Sequence, residues 1–324
     1  MSTHISDYDF DLPPELIAPR PLASRDASRM MVIDRAKGTI EHRMFRDFPE
    51  FLRKDDLVVL NNSRVIKARL RTEDRRIEIL LLEPTEGNCW KCLVKPGRKM
   101  RVGAKVAIAG VEATVRQVFP EGERLVEFSD EPDLECYGAM PIPPYFNREA
   151  DAEDDTRYQT VFAEAQGSVA APTAGLHFTP EILANIPHAF ITLHVGIGTF
   201  QPVKAEIVEE HRMHEERYEI SKEAAGRINA ASRLVAIGTT ATRVLESQPP
   251  GPVLPHAGST DIFIHPPMSL SRVGALLTNF HLPRSTLLML VSAFAGKDLV
   301  FAAYEEAVGK SYRFFSYGDC MLVT

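Results

Sequence analysis

Strand-like and helix-like segments alternate over the second half of the chain, and this alternation limits the possible folds more than any other feature. Residues 190–195, 234–237 and 275–278 are short apolar runs typical of buried strands. A helix is indicated before the first run, where Thr179 can act as N-cap and Pro180 takes the first helical position. This alternation predicts an α/β layer with parallel strand pairing.

The middle of the chain has a different pattern. From about residue 65 to residue 140, short β-leaning runs are separated by glycines, which predicts a small antiparallel barrel or sandwich. We therefore expect an α/β main domain built from both ends of the chain, residues 1–66 and 141–324, with an inserted antiparallel β-barrel domain over residues 67–140. Two sequential domains are the alternative, and the sequence does not decide between them.

Composition and charge narrow the class of protein. The chain has 324 residues, of which 44% are apolar and 25% charged, so we expect a globular protein with a sizeable core. The net charge is −7, yet residues 61–116 contain 13 basic and 6 acidic residues, which gives this stretch a net charge of +7. On charge alone, a solvated basic face is the simpler interpretation of this basic segment.

The sequence also bears on location. Its start is acidic and lacks the apolar core of an export signal, and the run Thr286–Ala295 is half the length that a bilayer requires. Four unevenly spaced cysteines suggest free thiols in a reducing compartment. We therefore expect a cytoplasmic protein with no membrane contact, and we expect a monomer, although the sequence alone does not give the oligomeric state.

Polar and small residues gather where predicted strands end. The loop 167–177 allows a ligand close to the backbone, and its amides can hold a carboxylate or phosphate; a tight structural turn is the alternative. The turn 238–240 suits an anionic group at a helix start, with threonine capping as the alternative. Gly196 and Gly198 lack the third glycine of a dinucleotide fingerprint, so we expect them to turn the backbone under a ligand.

A metal site is weighed and not expected. His211, His214 and Glu215 resemble a ligand cluster, but the spacing places no third ligand and neither zinc-protease motif is present. Cys89 and Cys92 would point to opposite faces of a strand. Proton transfer or substrate contact is the favoured role for the two histidines.

Ten strings of mixed chemistry occur in a fixed order along the chain. They are residues 9–13 (DFDLP), 60–66 (LNNSRVI), 141–145 (PIPPY), 158–161 (YQTV), 169–178 (VAAPTAGLHF), 192–200 (TLHVGIGTF), 211–214 (HRMH), 238–240 (GTT), 278–283 (TNFHLP) and 314–319 (FFSYGD). In these strings the chain resembles the S-adenosylmethionine:tRNA ribosyltransferase-isomerase family of queuosine biosynthesis.

The resemblance implies both a fold and a reaction. The fold is an α/β domain with an inserted β-barrel. S-adenosyl-L-methionine is the co-substrate, and its ribosyl group is transferred and rearranged onto 7-aminomethyl-7-deazaguanine at the wobble position of a tRNA. The products are epoxyqueuosine in tRNA, adenine and methionine. A non-catalytic RNA-binding protein and a conventional methyltransferase are the rival interpretations.

This chemistry requires a base beside the ribose carbon next to the sulfonium and an acid for the departing adenine, and histidine is the usual group. Candidates for proton transfer are His177, His194, His214 and His281, of which we expect at least two to act, and Asp319 in second place. Predicted substrate contacts are Asn61, Asn62, Arg64, Thr173, Ala174, Gly175, Gly196, Gly198, Thr199, Gly238, Thr239, Thr240 and Asn279.

The implied partner is a tRNA. Its wobble nucleotide has to leave the anticodon stack to reach a protein pocket. We predict that the basic segment, together with Arg64 and Lys67, contacts the phosphate backbone, which makes binding sensitive to salt.

Overall fold

The computed structural model describes residues 4–196, 198 and 205–324. Its strands are β1 (Arg29–Asp34), β2 (Thr39–Met44), β3 (Asp56–Asn61), β4 (Ser63–Val65), β5 (Arg69–Arg71), β6 (Glu78–Pro84), β7 (Cys89–Lys95), β8 (Lys105–Ile108), β9 (Val111–Val118), β10 (Arg124–Phe128), β11 (Ala165–Ser168), β12 (His188–Leu193), β13 (Glu216–Ile220), β14 (Arg233–Ile237), β15 (His256–Thr260), β16 (Val273–Asn279) and β17 (Cys320–Val323). Its α-helices are α1 (Leu134–Tyr137), α2 (Ala152–Arg157), α3 (Pro180–Ala184), α4 (Lys222–Ala230), α5 (Gly238–Glu246), α6 (Thr286–Ala295) and α7 (Lys297–Gly309). Short 3-10 helices are Ile5–Tyr8, Pro14–Leu16, Arg25–Ala27, Phe45–Phe51, Gly97–Lys99, Pro144–Phe146, Thr173–His177 and Val208–Glu210.

The large sheet has nine strands in the order β15-β13-β12-β3-β14-β16-β17-β1-β2. The four central strands β12, β3, β14 and β16 pair in parallel, as the alternation predicted. Antiparallel pairs flank them, with β13 beside β12 and β17 beside β16. The predicted α/β fold is confirmed, but the sheet is mixed, because the predicted parallel pairing holds only for its central strands.

Strand β3 lies near the centre of this sheet and is buried along its whole length. Leu57 and Val59 pack into the core on the side of helices α4 and α5, whereas Val58 and Leu60 pack into a second core with Phe45. Because side chains alternate along a strand, a strand covered on both faces has to be apolar throughout. The apolar run stops at the carboxyl end of the strand, where polar residues begin.

The middle of the chain forms a separate six-stranded sheet in the order β5-β6-β7-β10-β9-β8. Every neighbouring pair in it is antiparallel. This small sheet has its own apolar core, which includes Leu81, Cys92, Val115 and Phe128. The antiparallel β-structure agrees with the sequence prediction, whereas a closed barrel and an independent inserted domain stay predictions.

Helices α6 and α7 follow the large sheet near the C-terminus. The Ser285 hydroxyl accepts the amide hydrogen of Leu288 at 3.2 Å and so caps α6. Within the part of the chain that the structure describes, no single helix is long and apolar enough to cross a membrane. Taken together, α6 and α7 meet the length and composition criteria, but they are bent by 117° at their junction.

All four cysteines lie in the described residues as free thiols, as predicted.

Candidate active site

A cleft opens at the carboxyl ends of β14 and β16, which is where open α/β sheets bind their ligands. The 3-10 helix Thr173–His177 and the first turn of α5 form part of its wall, and the end of β16 with its following turn forms another. The residues lining this first cleft are Tyr145, Ala170, Ala171, Pro172, Thr173, Ala174, Val195, Gly238, Thr239, Thr240, Thr278, Asn279, Phe280, His281, Leu287, Phe315 and Ser316.

Helix α5 begins at the first cleft without a side-chain cap. Gly238 has a φ of +82°, a conformation that other residues rarely adopt. The preceding residue, Ile237, has no polar side chain to accept an amide hydrogen, so the first turn keeps free donors. Thr239 and Thr240 bring hydroxyl groups to the same wall. This helix start favours an anionic group, and all three predicted contacts in this turn line the cleft.

Of the predicted loop 167–177, Thr173 and Ala174 line the first cleft. Gly175 does not, because it faces the packed interior. A Cβ atom at Gly175 would lie 2.9 Å from both Thr160 Cγ2 and Phe162 Cζ. A glycine is therefore required at this position by the packing of Thr160 and Phe162, not by the close approach of a ligand.

His281 is a buried imidazole in the wall of the first cleft. Its Nε2 lies 3.0 Å from Thr278 Oγ1, and its amide donates to the Tyr304 hydroxyl at 2.9 Å. Burial lowers the pKa of His281 to about 3, so the ring is neutral near pH 7. Within the described residues no hydrogen bond reaches Nδ1, which leaves that nitrogen for a ligand.

His177 lies behind the first cleft rather than on its surface. Its Nε2 is 3.1 Å from Asn279 Oδ1, and its Nδ1 is 2.8 Å from Ser28 Oγ. The Asn279 amide group donates to the carbonyl oxygen of Phe315 at 2.8 Å, which orients Oδ1 towards the imidazole. Since Oδ1 only accepts, Nε2 carries the proton and Nδ1 accepts from Ser28. Burial lowers the pKa of His177 to about 4, consistent with this neutral tautomer.

Acidification is expected to destabilise the fold through these two imidazoles. The folded-state pKa values of about 4 for His177 and about 3 for His281 lie below the ordinary 6.5. As the pH falls below 6.5, these histidines take up protons in the unfolded chain before they do so in the folded protein. The free energy of unfolding is therefore highest above pH 6.5 and decreases between pH 6.5 and about pH 4. At pH 5 the loss is about 2 kcal/mol for each imidazole. Urea unfolding at pH 7 and pH 5 measures it.

The control for this pH dependence is His177→Asn, which cannot titrate in this range. We expect the variant to be less stable at both pH values but to lose about 2 kcal/mol less than the parent on acidification. An unchanged pH dependence in the variant would contradict the assignment of a neutral, buried His177.

A second cleft lies between the large sheet and the six-stranded sheet and encloses about 710 Å³. Lys91 and Leu93 of β7 form one wall, and His211, His214 and neighbouring residues form the other. A smaller cavity beside it brings four predicted residues together: His194, Gly196, Gly198 and His214. Leu287 lines both the first and the second cleft, so the two are neighbours.

Two glycines allow the histidines of the smaller cavity beside the second cleft to approach the backbone. A Cβ atom at Gly167 would lie 2.9 Å from His194 Nδ1, and one at Gly198 would lie 2.8 Å from His214 Cδ2. Burial lowers the pKa of His194, and its Nδ1 has no hydrogen-bond partner among the described residues. His214 is exposed. The predicted contact Thr199 lies outside the described residues.

A buried ion pair supports the second cleft. Arg243 and Glu216 are each 5% exposed and form a salt bridge. Glu216 also accepts the amide hydrogen of Gly196 at 3.0 Å, and the Arg243 Nε donates to the carbonyl oxygen of Ile262 at 3.2 Å. The pair therefore connects α5, β13 and the segment that follows β12.

Three predicted site residues are engaged in holding the fold. The Asp319 carboxylate accepts the Arg29 and Arg313 amide hydrogens at 2.9 and 2.8 Å and lies outside both cleft linings. Asn61 accepts the Leu193 amide hydrogen and donates to the carbonyl oxygen of the same residue, both at 2.9 Å. Asn62 Oδ1 accepts the Thr192 hydroxyl hydrogen at 2.7 Å, in a surface cavity away from both clefts.

A fourth predicted residue, Arg64, is exposed on β4 and also lies outside both linings.

Sequence reasoning missed the segment 315–316, which lines the first cleft beside the turn that follows β16. Phe315 and Ser316 line this cleft, and Phe315 has a φ of +73°. For a bulky residue this left-handed conformation costs about 1–3 kcal/mol, and such strained residues concentrate at functional sites. Tyr145 joins them through a hydrogen bond between its hydroxyl and that of Ser316. Their presence in the strings 141–145 and 314–319 was the only sequence signal.

The mixed α/β sheet carries a ligand cleft at its strand ends. This cleft combines a helix start suited to an anion with buried, neutral imidazoles. Together these features define an α/β enzyme. The chain matches the family model described as queuosine biosynthesis protein over residues 5–323, and it belongs to that family.

Curated relatives agree with this assignment. A protein of Solibacter usitatus is 49% identical, with 99% of each chain covered, and one of Thermotoga maritima is 49% identical, with 98% of this chain and 99% of the relative covered. Both are named S-adenosylmethionine:tRNA ribosyltransferase-isomerase. A crystal structure of a Thermotoga maritima S-adenosylmethionine tRNA ribosyltransferase is 41% identical and covers 98% of this chain and all of the other, with a TM-score of 0.58. The predicted family and enzyme class are confirmed.

Proposed function

We propose that the first cleft holds S-adenosylmethionine and that the second cleft takes the wobble nucleotide of a tRNA. The ribosyl group is transferred to 7-aminomethyl-7-deazaguanine and isomerised, which gives epoxyqueuosine in tRNA, adenine and methionine. The observation that carries this proposal is the similarity over nearly the full chain to enzymes named for this transfer and isomerisation.

The first cleft suits both ends of S-adenosylmethionine. The uncapped start of α5, with Thr239 and Thr240, offers donors for the methionine carboxylate. The opposite wall carries Phe315, whose partly exposed ring provides apolar surface for the adenosine end. In this placement Asn279 holds the 315–316 segment in position.

The imidazoles divide into two roles. His281 contacts substrate in the first cleft through Nδ1, His214 acts from the second cleft, and His194 acts from the smaller cavity beside it. Together they remove the proton from the ribose carbon beside the sulfonium and protonate the departing adenine. We assign His177 a positioning role, because its hydrogen bond orients Asn279 and it does not line the cleft. Asp319 is engaged by Arg29, and we give it no proton-transfer role.

We further propose that residues 67–140 act as a domain that closes one side of the tRNA site, and that the protein works as a cytoplasmic monomer. The separate core of the six-stranded sheet supports the first of these statements.

The products of the reaction test the proposed function. With S-adenosylmethionine and a tRNA that carries 7-aminomethyl-7-deazaguanine, we expect adenine and methionine in equal amounts, measured by liquid chromatography. The same tRNA with guanine at the wobble position is the control and should yield neither above background. S-adenosylhomocysteine as product would indicate a methyltransferase, and tRNA binding without small-molecule products would indicate an RNA-binding protein; either result overturns the proposal.

A further inference from the structure

The stretch from residue 87 to residue 111 contains no acidic residue and six basic ones: Lys91, Lys95, Arg98, Lys99, Arg101 and Lys105. Two of the six are neutralised, since Lys91 pairs with Glu123 at 2.8 Å and Lys105 pairs with Glu112 at 2.7 Å. The other four are exposed, and none forms an ion pair within the described residues. We name Lys95, Arg98, Lys99 and Arg101 the basic turn.

Other cations of the basic segment, apart from the exposed Arg64, are occupied by carboxylates. Arg69 and Arg71 share Glu78, each at 2.9 Å. Lys67, predicted to contact phosphates, lies between two carboxylates instead. Free positive charge within the +7 segment is therefore concentrated at the basic turn, where four cations fall within seven residues.

The backbone of the basic turn is held in place. Met100 is buried in the core of the six-stranded sheet. The Arg124 guanidinium donates to the carbonyl oxygens of Gly97 and Met100, both at 3.3 Å. The Lys99 amide donates to the carbonyl oxygen of Pro96 at 3.2 Å, which closes the turn. An ordered backbone reduces the entropy that these side chains lose when they bind.

The turn also continues the wall of the second cleft. Lys91 and Leu93 of β7 line that cleft, and Lys95 ends the same strand. Residues two apart on a strand point to the same face and are separated by about 7 Å. A polyanion with one nucleotide in the second cleft would therefore bring its neighbouring phosphates towards the basic turn.

We propose that the basic turn binds the phosphate backbone of the tRNA beside the nucleotide that enters the second cleft. This inference rests on the proposed function, which makes tRNA the substrate. Each lost phosphate contact lowers the slope of log affinity against log salt by about 0.7–0.9.

The test is the triple variant Arg98→Gln, Lys99→Gln, Arg101→Gln. We expect the Kd for a tRNA with 7-aminomethyl-7-deazaguanine to rise roughly 50–100-fold at 0.15 M salt and the salt slope to fall by about 2–3. Fluorescence anisotropy between 0.05 and about 0.3 M salt measures both. The rate of adenine release at saturating tRNA should stay within about threefold of the parent, because the basic turn does not line the first cleft.

The matched control removes the same number of charges at the opposite edge of the large sheet. The clefts lie at the carboxyl ends of the central strands. Lys37, Arg53 and Lys54 are exposed at the amino end of β3, because Arg53 and Lys54 precede this strand and Lys37 follows β1, which runs opposite to it. Their triple glutamine variant should bind tRNA within about threefold of the parent. Equal Kd and salt slope in the two triple variants would overturn the proposal. If the proposed function is wrong, the parent protein releases no adenine. The binding measurements do not depend on turnover, so the two failures can be told apart.

Discussion

Replacement of His281 by alanine is expected to lower the rate of adenine release by a factor of about 10²–10⁴, the usual loss when a proton-transferring group is removed. His281 lines the first cleft, and its Nδ1 is free of hydrogen bonds within the described residues. Single-turnover assays with saturating S-adenosylmethionine and tRNA measure the chemical step directly. Calorimetric titration with S-adenosylmethionine shows whether binding survives.

His177→Ala is the matched comparison for this experiment. Both imidazoles are fully buried, and burial lowers the pKa of both, so the two variants should lose similar stability. They differ in position, because His177 reaches the cleft only through Asn279. We expect His177→Ala to slow adenine release by no more than about tenfold, since a displaced Asn279 perturbs binding more than chemistry. Equal rate losses in the two variants would show that His281 has only a structural role.

The sequence predicted the framework of the site because the relevant signals are local. Thr179 with Pro180 marked the start of α3, and Gly238 with its threonines marked the start of α5. The apolar run 275–278 marked β16, whose end lies at the carboxyl edge of the central strands. Each of these features follows from backbone conformation or strand periodicity, which a few neighbouring residues determine.

The sequence could not distinguish a residue that lines a cleft from a residue that lies just behind the cleft wall. His177 and His281 both stand in histidine-bearing strings, yet only the second lines the first cleft. Asp319 and Asn61 are polar residues at strand boundaries, but their hydrogen bonds go to Arg29 and Leu193. These partners lie more than a hundred residues away, so local pattern carries no information about them.

The net charge counted from the sequence is likewise not enough to locate the binding surface. A count over residues 61–116 gives +7 but not which cations are free. Lys67 is occupied by Glu135 and Asp155, which lie outside that window. Only the pairing in the fold reveals that, among the described residues, four of the five unpaired cations of this window lie at the basic turn, the fifth being Arg64.

Breaking the buried ion pair of Arg243 and Glu216 should strongly lower the free energy of unfolding. In Arg243→Met the carboxylate of Glu216 stays buried without its cation, and removing one partner of such a pair destabilises by about 3–5 kcal/mol. Because Glu216 also holds the Gly196 amide, the segment beside the second cleft should loosen and the KM for tRNA should rise. Urea unfolding and steady-state kinetics measure the two effects.

Arg233→Met is the matched control, since Arg233 forms a buried pair with Asp56 at the start of β3, away from both clefts. It should lose comparable stability with an unchanged KM for tRNA. The double variant Arg243→Met, Glu216→Leu removes both charges and should recover most of the lost stability. Its KM for tRNA should stay raised, because the Gly196 amide then loses its acceptor, Glu216. If Arg243→Met unfolds at the same urea concentration as the parent, the pair does not stabilise the fold. If both single variants raise the KM equally, the effect comes from general loosening of the sheet rather than from the Gly196 segment.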